Sequence, residues 1–157
     1  MSNVLIGIIG VILFIGLALA GALFLGPRFQ ESTNNSKAAA MVQSVSQVAH
    51  AVNLYELQEG RKLPDGSPTL LAPSYIKTIP VNPDWVSGLE IGSATRFRLV
   101  CAPIGSSESM VNVCKAVNRQ TSGSDVVPDI AGADELVGNV GCYVTGTSRT
   151  RVVWAKV

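Results

Sequence analysis

Three cysteines, one histidine and a loose run of carboxylates are the side chains in this chain that could do chemistry. Cys101, Cys114 and Cys142 are separated by 13 and 28 residues and have no histidine near them. A structural zinc site gathers Cys and His at short spacing, so the pattern does not read as one. The chemistry left to the thiols is disulfide formation. If the domain lies outside the cytoplasm, two of the three pair and one is left over. His50 falls on the polar side of a helical pattern and reads as solvated rather than as a base or ligand. Asp125, Asp129, Asp134 and Glu135 crowd one stretch. They read as a solvated loop ahead of a calcium-type oxygen cage. No glycine-rich phosphate loop follows a strand, and there is no nucleophile elbow around a serine. Asn34-Asn35-Ser36 has the form of a glycosylation acceptor, a three-residue pattern common by chance. The expectation is a structural protein, not an enzyme, with no catalytic residue, cofactor or metal.

The elements that carry these residues begin with hydrocarbon. Val4 to Gly26 covers 23 positions without a charged side chain. At about 1.5 Å per helical residue this spans roughly 34 Å, against about 30 Å for a bilayer core. A cleavable signal has a basic start and a shorter apolar stretch; here the first basic residue is Arg28. The run is therefore read as a retained membrane helix. Arg28 and Lys37 are too few to assign topology. Gly7, Gly10, Gly16, Gly21 and Gly26 punctuate the run, and Gly16 to Ala20 and Ala18 to Ala22 are small-xxx-small spacings that let helix backbones approach closely. Glycine is also simply common in membrane helices. Leu13 lies near the middle of the run, where a charge would be costly. At Gly26-Pro27 a break is expected, because proline lacks the amide donor and clashes with the preceding turn.

The formal net charge is +1, with 15% charged and 47% hydrophobic residues. No strong field points to nucleic acid, and a lightly charged surface suits a subunit that packs against copies of itself. About 130 residues follow the apolar run, enough for one compact domain. Residues 1–27 read as an apolar membrane or filament-core helix, 28–59 as an amphipathic helix, and 60–157 as a β-rich head. Met41, Val45, Val48, Val52 and Tyr55 recur at spacings of four and three, one buried stripe. It lasts about two heptads, so packing on the domain's own sheet is favoured over a coiled coil. Gly60 and Pro64 stop the helix. Leu63 to Ser74 reads as a loop and Tyr75 to Pro83 as an extended connector. Leu89 to Ile91 and Arg96 to Ala102 read as strands, the second with Phe97, Leu99 and Cys101 on its half-buried face. Ser106 to Asn118 reads as a helix capped by Ser107 or Ser109, with Met110, Val113, Cys114 and Val117 on one face. Gln120 to Asp134 reads as a polar loop. Gly141 to Thr145 and Arg149 to Val157 read as a terminal hairpin turning at Gly146-Thr147-Ser148.

Taken together, the apolar N-terminal helix, the Gly26-Pro27 break, the amphipathic half ending at Tyr55 and the late cysteine resemble a type IV pilin. Ile79-Pro80-Val81-Asn82-Pro83 is similar to the proline turn of the type IVb branch. Phe97-Arg98-Leu99 followed by a helix carrying Cys114, and Cys142 ahead of the last strand, are similar to its central strand and paired cysteines. The resemblance implies an α+β fold: a long N-terminal helix packed on a small antiparallel sheet. It implies a Cys114–Cys142 disulfide enclosing a surface loop, with Cys101 free, buried or the true partner of one of them. It also implies N-terminal processing and methylation at Met1, waiting in the inner membrane, contact with a pilus assembly machinery, and a helical homo-oligomer displayed outside the cell. In that assembly Gly7, Gly10, Leu13, Gly16, Ala20 and Gly21 would pack at the filament core. One departure stands out. The family carries a glutamate at the fifth mature position, and here position five is Leu5, with no acidic residue before Glu31. The family's basic leader is not in the chain, so numbering starts at a mature Met1 or the N-terminus is handled differently. The departure fits a minor subunit, or a membrane-anchored periplasmic scaffold that does not polymerise alone.

Overall fold

The computed structural model describes residues 2–145 and 149–157; for residues 2, 3, 24, 25 and 27 it describes the backbone only. Met1 and the expected turn at Gly146-Thr147-Ser148 lie outside the described residues. The first element is a single helix, α1, Ser2–Glu59. The chain divides into two units, residues 1–33 and 34–157. The boundary expected after residue 27 therefore falls inside the first unit, and residues 34–59 belong to the head.

In the first unit the backbone is helical through Gly26 and Pro27. This corrects the expected break. A proline withdraws one amide donor and strains one turn, a cost of about 3 kcal/mol in a helix interior, and the long flanking helical runs hold the backbone through it. Thr33 Oγ1 donates to Phe29 O at 2.9 Å, so its hydroxyl is satisfied one turn back along the helix. From Val4 to Leu23 the large apolar side chains are exposed, and Phe29 is as well. The helix is long and apolar enough to cross a membrane. At Gly7, Gly10, Gly16, Gly21 and Gly26 an added Cβ would meet nothing within 4 Å.

The head is built on the buried stripe expected for α1. Met41, Val45, Val48, Val52 and Tyr55 are all in its core, joined by Ala38, Ala49 and Ala51. Gly60 closes the helix in the left-handed region at φ 65°, its amide donating to Glu56 O at 3.1 Å, the usual glycine stop. The chain then makes a 3-10 turn at Pro68–Leu71 within the expected loop. Five strands follow: β1 Glu90–Ser93, β2 Arg98–Gly105, β3 Asp129–Ile130, β4 Val140–Thr145 and β5 Arg151–Lys156, with α2 Glu108–Ser122 between β2 and β3. The sheet order is β1-β2-β5-β4-β3. The pairs β1–β2, β2–β5 and β4–β5 are antiparallel, while β3 pairs parallel with β4. The fold is the expected α+β arrangement, with a mixed rather than wholly antiparallel sheet.

The face assignment on β2 reverses. Val100, Ala102 and Ile104 belong to the core shared with the helices, and Cys101, of the opposite parity, does not. The sequence pattern misled because both faces of this central strand are covered: Leu99 is buried too, as are Val152 and Trp154 on β5. A strand buried on both sides loses the apolar–polar alternation on which a face is read. On the second face Phe97 stacks on Trp154 with ring centroids 6.5 Å apart, and Lys156 Nζ lies 4.8 Å above the Phe97 ring.

Arg98 is the charged residue this packing buries, at 7% exposure. Its guanidinium pairs with Glu56 in the last turn of α1 and, at 2.8 Å, with Asp65 Oδ1. Glu56 Oε1 also accepts the Leu63 amide at 3.3 Å. The fork thus ties the sheet, the helix end and the following turn together. A hydrogen bond from Ser93, and after it one from Arg98, holds the Asp65 carboxyl below the usual carboxylate range. Removing Arg98 leaves the half-buried Glu56 carboxylate, 23% exposed, without its ion partner, while the exposed Asp65 carboxylate returns to water. Arg98→Ala is expected to cost about 3 kcal/mol in denaturant unfolding of the purified chain, with Arg98→Lys intermediate because an ammonium cannot fork.

Candidate functional site

Two regions stand out for what they expose and how they are held: the apolar part of α1 and the loop between α2 and β4. The second is built on α2. Ser107, one of the two serines expected there, occupies the N-cap position without a side-chain cap bond, and Met110, Val113, Cys114 and Val117 are buried. The helix outruns its expected end at Asn118, and in its last turn Thr121 and Ser122 donate back to Val117 O and Asn118 O at 2.9 and 2.8 Å. Gly123 then ends it at φ 75°.

Cys114 and Cys142 form the disulfide, with Cα atoms 5.4 Å apart and a sequence separation of 28. This is the pair that the pilin resemblance implies. One turn further along α2, Asn118 reaches the same strand residue. Its Nδ2 donates to Cys142 O at 2.9 Å and to Val126 O at 2.8 Å, and its Oδ1 accepts the Cys142 amide at 2.7 Å. At 6% exposure this amide acts as a piece of strand, satisfying the backbone of β4 on the side that β3 does not reach, opposite β5. Cys142 is thereby held twice, through its sulfur and through its main chain, from positions i and i+4 of one helix face. Sequence reading missed Asn118; the signal available was its spacing of four from Cys114.

Gly141 makes the arrangement fit. A Cβ there would come within 3.1 Å of Trp154 Nε1 and 3.3 Å of Asn118 Oδ1. The indole therefore lies against Gly141 of β4 and forms one wall of an open cavity of about 290 Å³, lined also by Val126, Glu135 and Val137. The enclosed loop contains the short strand β3, which the expected polar loop over Gln120 to Asp134 did not include. Two residues form no hydrophobic period, so β3 exists only through its pairing with β4.

The four loop carboxylates do not form a metal cage. Among the described residues no group of three His, Cys, Asp or Glu side chains could hold a metal. Asp134 accepts both the amide and the hydroxyl of Thr95, at 2.9 and 2.7 Å. The Thr95 hydroxyl is the main reason its carboxyl sits below the usual range. A lowered carboxyl pKa favours the latched form above the ordinary carboxylate range, and the latch is lost as pH falls through the lowered value. Asp125 has Arg119 at 4.0 Å. His50 is exposed on the outer side of α1.

Cys101 is the third thiol. Burial pushes it up to about 12, opposed by a hydrogen bond from Tyr143 and assisted by the Glu90 carboxylate. Burial raises the Tyr143 hydroxyl as well, with Cys101 adding to it. Reactivity follows the thiolate, so Cys101 is expected to react with iodoacetamide at pH 8 at least about 100-fold more slowly than an unstructured cysteine, becoming fully reactive in denaturant. Labelling followed by mass spectrometry checks this.

The residues named for filament packing, Gly7, Gly10, Leu13, Gly16, Ala20 and Gly21, all lie on the apolar part of α1, remote in sequence from the clamped loop. No known family model matches the chain, and no curated protein or solved structure matches it either.

Proposed function

We propose that this chain is a structural subunit of a type IV pilin-like filament, resident in the inner membrane before assembly and displayed outside the cell after it. The observation that carries the reading is the exposed apolar helix. Leu5, Ile8, Ile12, Ile15 and Leu19 are each at least half exposed, and a surface of this size needs lipid or other copies of the chain to cover it. Its glycines support the second cover. Each costs about 1 kcal/mol against alanine in a water-exposed helix, and none is required by contacts within this chain. Close approach of neighbouring helices gives them a purpose. The disulfide supports an oxidising location for the head.

The test is to shear cells that express the chain, collect the released material, and look for filaments by electron microscopy and for the chain by blotting. Recovery of the chain in filaments is the expected result. A second reading has one observation in its favour: no acidic side chain lies in the apolar run from Val4 to Gly26, where the family carries a glutamate. Under it the chain is a minor subunit or a membrane-anchored scaffold. It would then remain with the membrane fraction and appear in sheared material only alongside another, more abundant subunit.

A further inference from the structure

We propose that residues 132–138 form a hinged flap: released from Thr95, it swings off the head and opens the cavity beside Trp154 to small uncharged molecules, while the sheet and the disulfide stay in place. Such a flap works within one copy and does not depend on filament assembly. The chain enters the segment after β3, where Ile130 pairs with Thr145 at the end of β4. It leaves at Asn139, whose carbonyl accepts the Lys156 amide at 2.7 Å, directly ahead of Val140 at the start of β4. Six residues of β4 span about 20 Å at the usual strand rise. The segment therefore runs back along the whole strand between two fastened ends.

Between those ends little holds it. Ala133 and Leu136 are half-buried and the rest of 131–138 is exposed. The Glu135 and Leu136 amides donate within the segment, to Gly132 O and Ala133 O at 3.2 Å. Among the described residues, its side-chain hydrogen bonds to the rest of the head are those of Asp134. That carboxylate accepts the Thr95 amide and hydroxyl in the turn between β1 and β2, and the Arg96 amide and charge act on it as well. Glycine stands at both ends. Gly138 has φ 99°, a conformation that residues with a side chain rarely adopt. Gly132 is extended, with open space where a Cβ would stand, so packing does not demand glycine there and its effect is backbone freedom. A segment with few buried contacts and one exposed fastening opens far more readily than the fold as a whole.

The cavity shows what the flap covers. Glu135, Leu136 and Val137 supply one wall and Trp154 another. Trp154 is 2% exposed, and Gly141 leaves its indole bare on the β4 side, since a Cβ there would stand 3.1 Å from Nε1. Moving the flap takes away one wall and uncovers the ring. Val126 and Val140 remain to line the opened site. Apolar walls favour uncharged molecules, because an ion loses its hydration there without a partner.

Acrylamide, a small uncharged quencher of indole fluorescence, tests this on the full-length chain in detergent. The chain has two tryptophans, and Trp85→Phe leaves Trp154 alone. Trp85 Nε1 has no hydrogen-bond partner among the described residues, so that change strands none. In this background Trp154 is expected to be quenched far less than free tryptophan. Asp134→Ala is expected to raise the quenching constant about fivefold, the factor one net hydrogen bond carries in an opening equilibrium. Thr95→Val keeps the amide and loses the hydroxyl, and is expected to raise it about twofold. Hydrogen exchange read by mass spectrometry should quicken in 131–138 alone, with peptides from α2 and β4 unchanged. Trp154 quenched like free tryptophan in the latched chain, or a quenching constant that neither variant moves, overturns the flap. Exchange that quickens throughout the head overturns it too, because Asp134 would then stabilise the whole fold.

Discussion

Leu13→Lys is expected to abolish recovery of the chain in sheared filaments, lowering it roughly 100-fold, while the head unfolds as in the wild type. Leu13 is 62% exposed and sits about midway along the uncharged run from Val4 to Gly26. A lysine at the centre of a membrane helix costs about 2.5–3.5 kcal/mol on insertion scales. A lysine stem can snorkel toward an interface when the helix stands alone in lipid. It has no such escape once the helix is enclosed by other helices, so the penalty falls more heavily on the assembled state than on the membrane-resident one. Leu13→Met, of similar volume, controls for packing and is expected to assemble. The check is the ratio of sheared to membrane-bound chain for the three forms at matched expression. Wild-type recovery from Leu13→Lys would show that this helix is not packed inside an assembly.

Loss of the clamp on Cys142 is the other large effect. Replacing Cys114 and Cys142 by serine removes a crosslink over 28 residues, a change of about 3–4 kcal/mol in the chain-entropy account. Asn118 still holds the Cys142 main chain through its amide, so the strand stays docked in the reduced protein. Asn118→Ala in the oxidised protein leaves a buried amide and carbonyl of β4 unpaired and costs roughly 2–3 kcal/mol. The two tethers grip one residue from one helix face, so their losses couple. The triple variant is expected to lose more than the sum of the separate changes, with α2 released from the sheet. Denaturant unfolding of the four forms in one detergent measures the coupling. Simple additivity would mean that the two tethers act independently.

Legibility in the sequence followed the strength of each local signal. The apolar run was plain because transfer into hydrocarbon depends on composition alone. The stripe from Met41 to Tyr55 was plain because one side of a helix is buried and the other is wet, which leaves a period of about 3.6. The stop at Gly60 is local backbone chemistry and needed no partner to be recognised, whereas two serines fitted the start of α2 and Ser107 holds that position without a side-chain bond. The identity of the disulfide pair came from resemblance, since three cysteines leave three possible pairs. Continuity of the backbone through Gly26 and Pro27 went the other way: a local penalty was visible, but the long helical runs flanking it were decisive.

Composition and short-range periodicity settled that this protein has an apolar helix long enough for a bilayer, followed by a helix with one buried face and a small strand-rich head. Both follow from solvent preference and backbone propensity, which each residue carries wherever it is placed. Tertiary structure alone decided which face of β2 meets the core, that β3 exists at all, that Asn118 completes the edge of β4, and that the loop carrying Asp134 fastens to Thr95 at the β1–β2 turn. Each of these depends on residues tens of positions apart meeting in space, and no pattern along the chain encodes that distance.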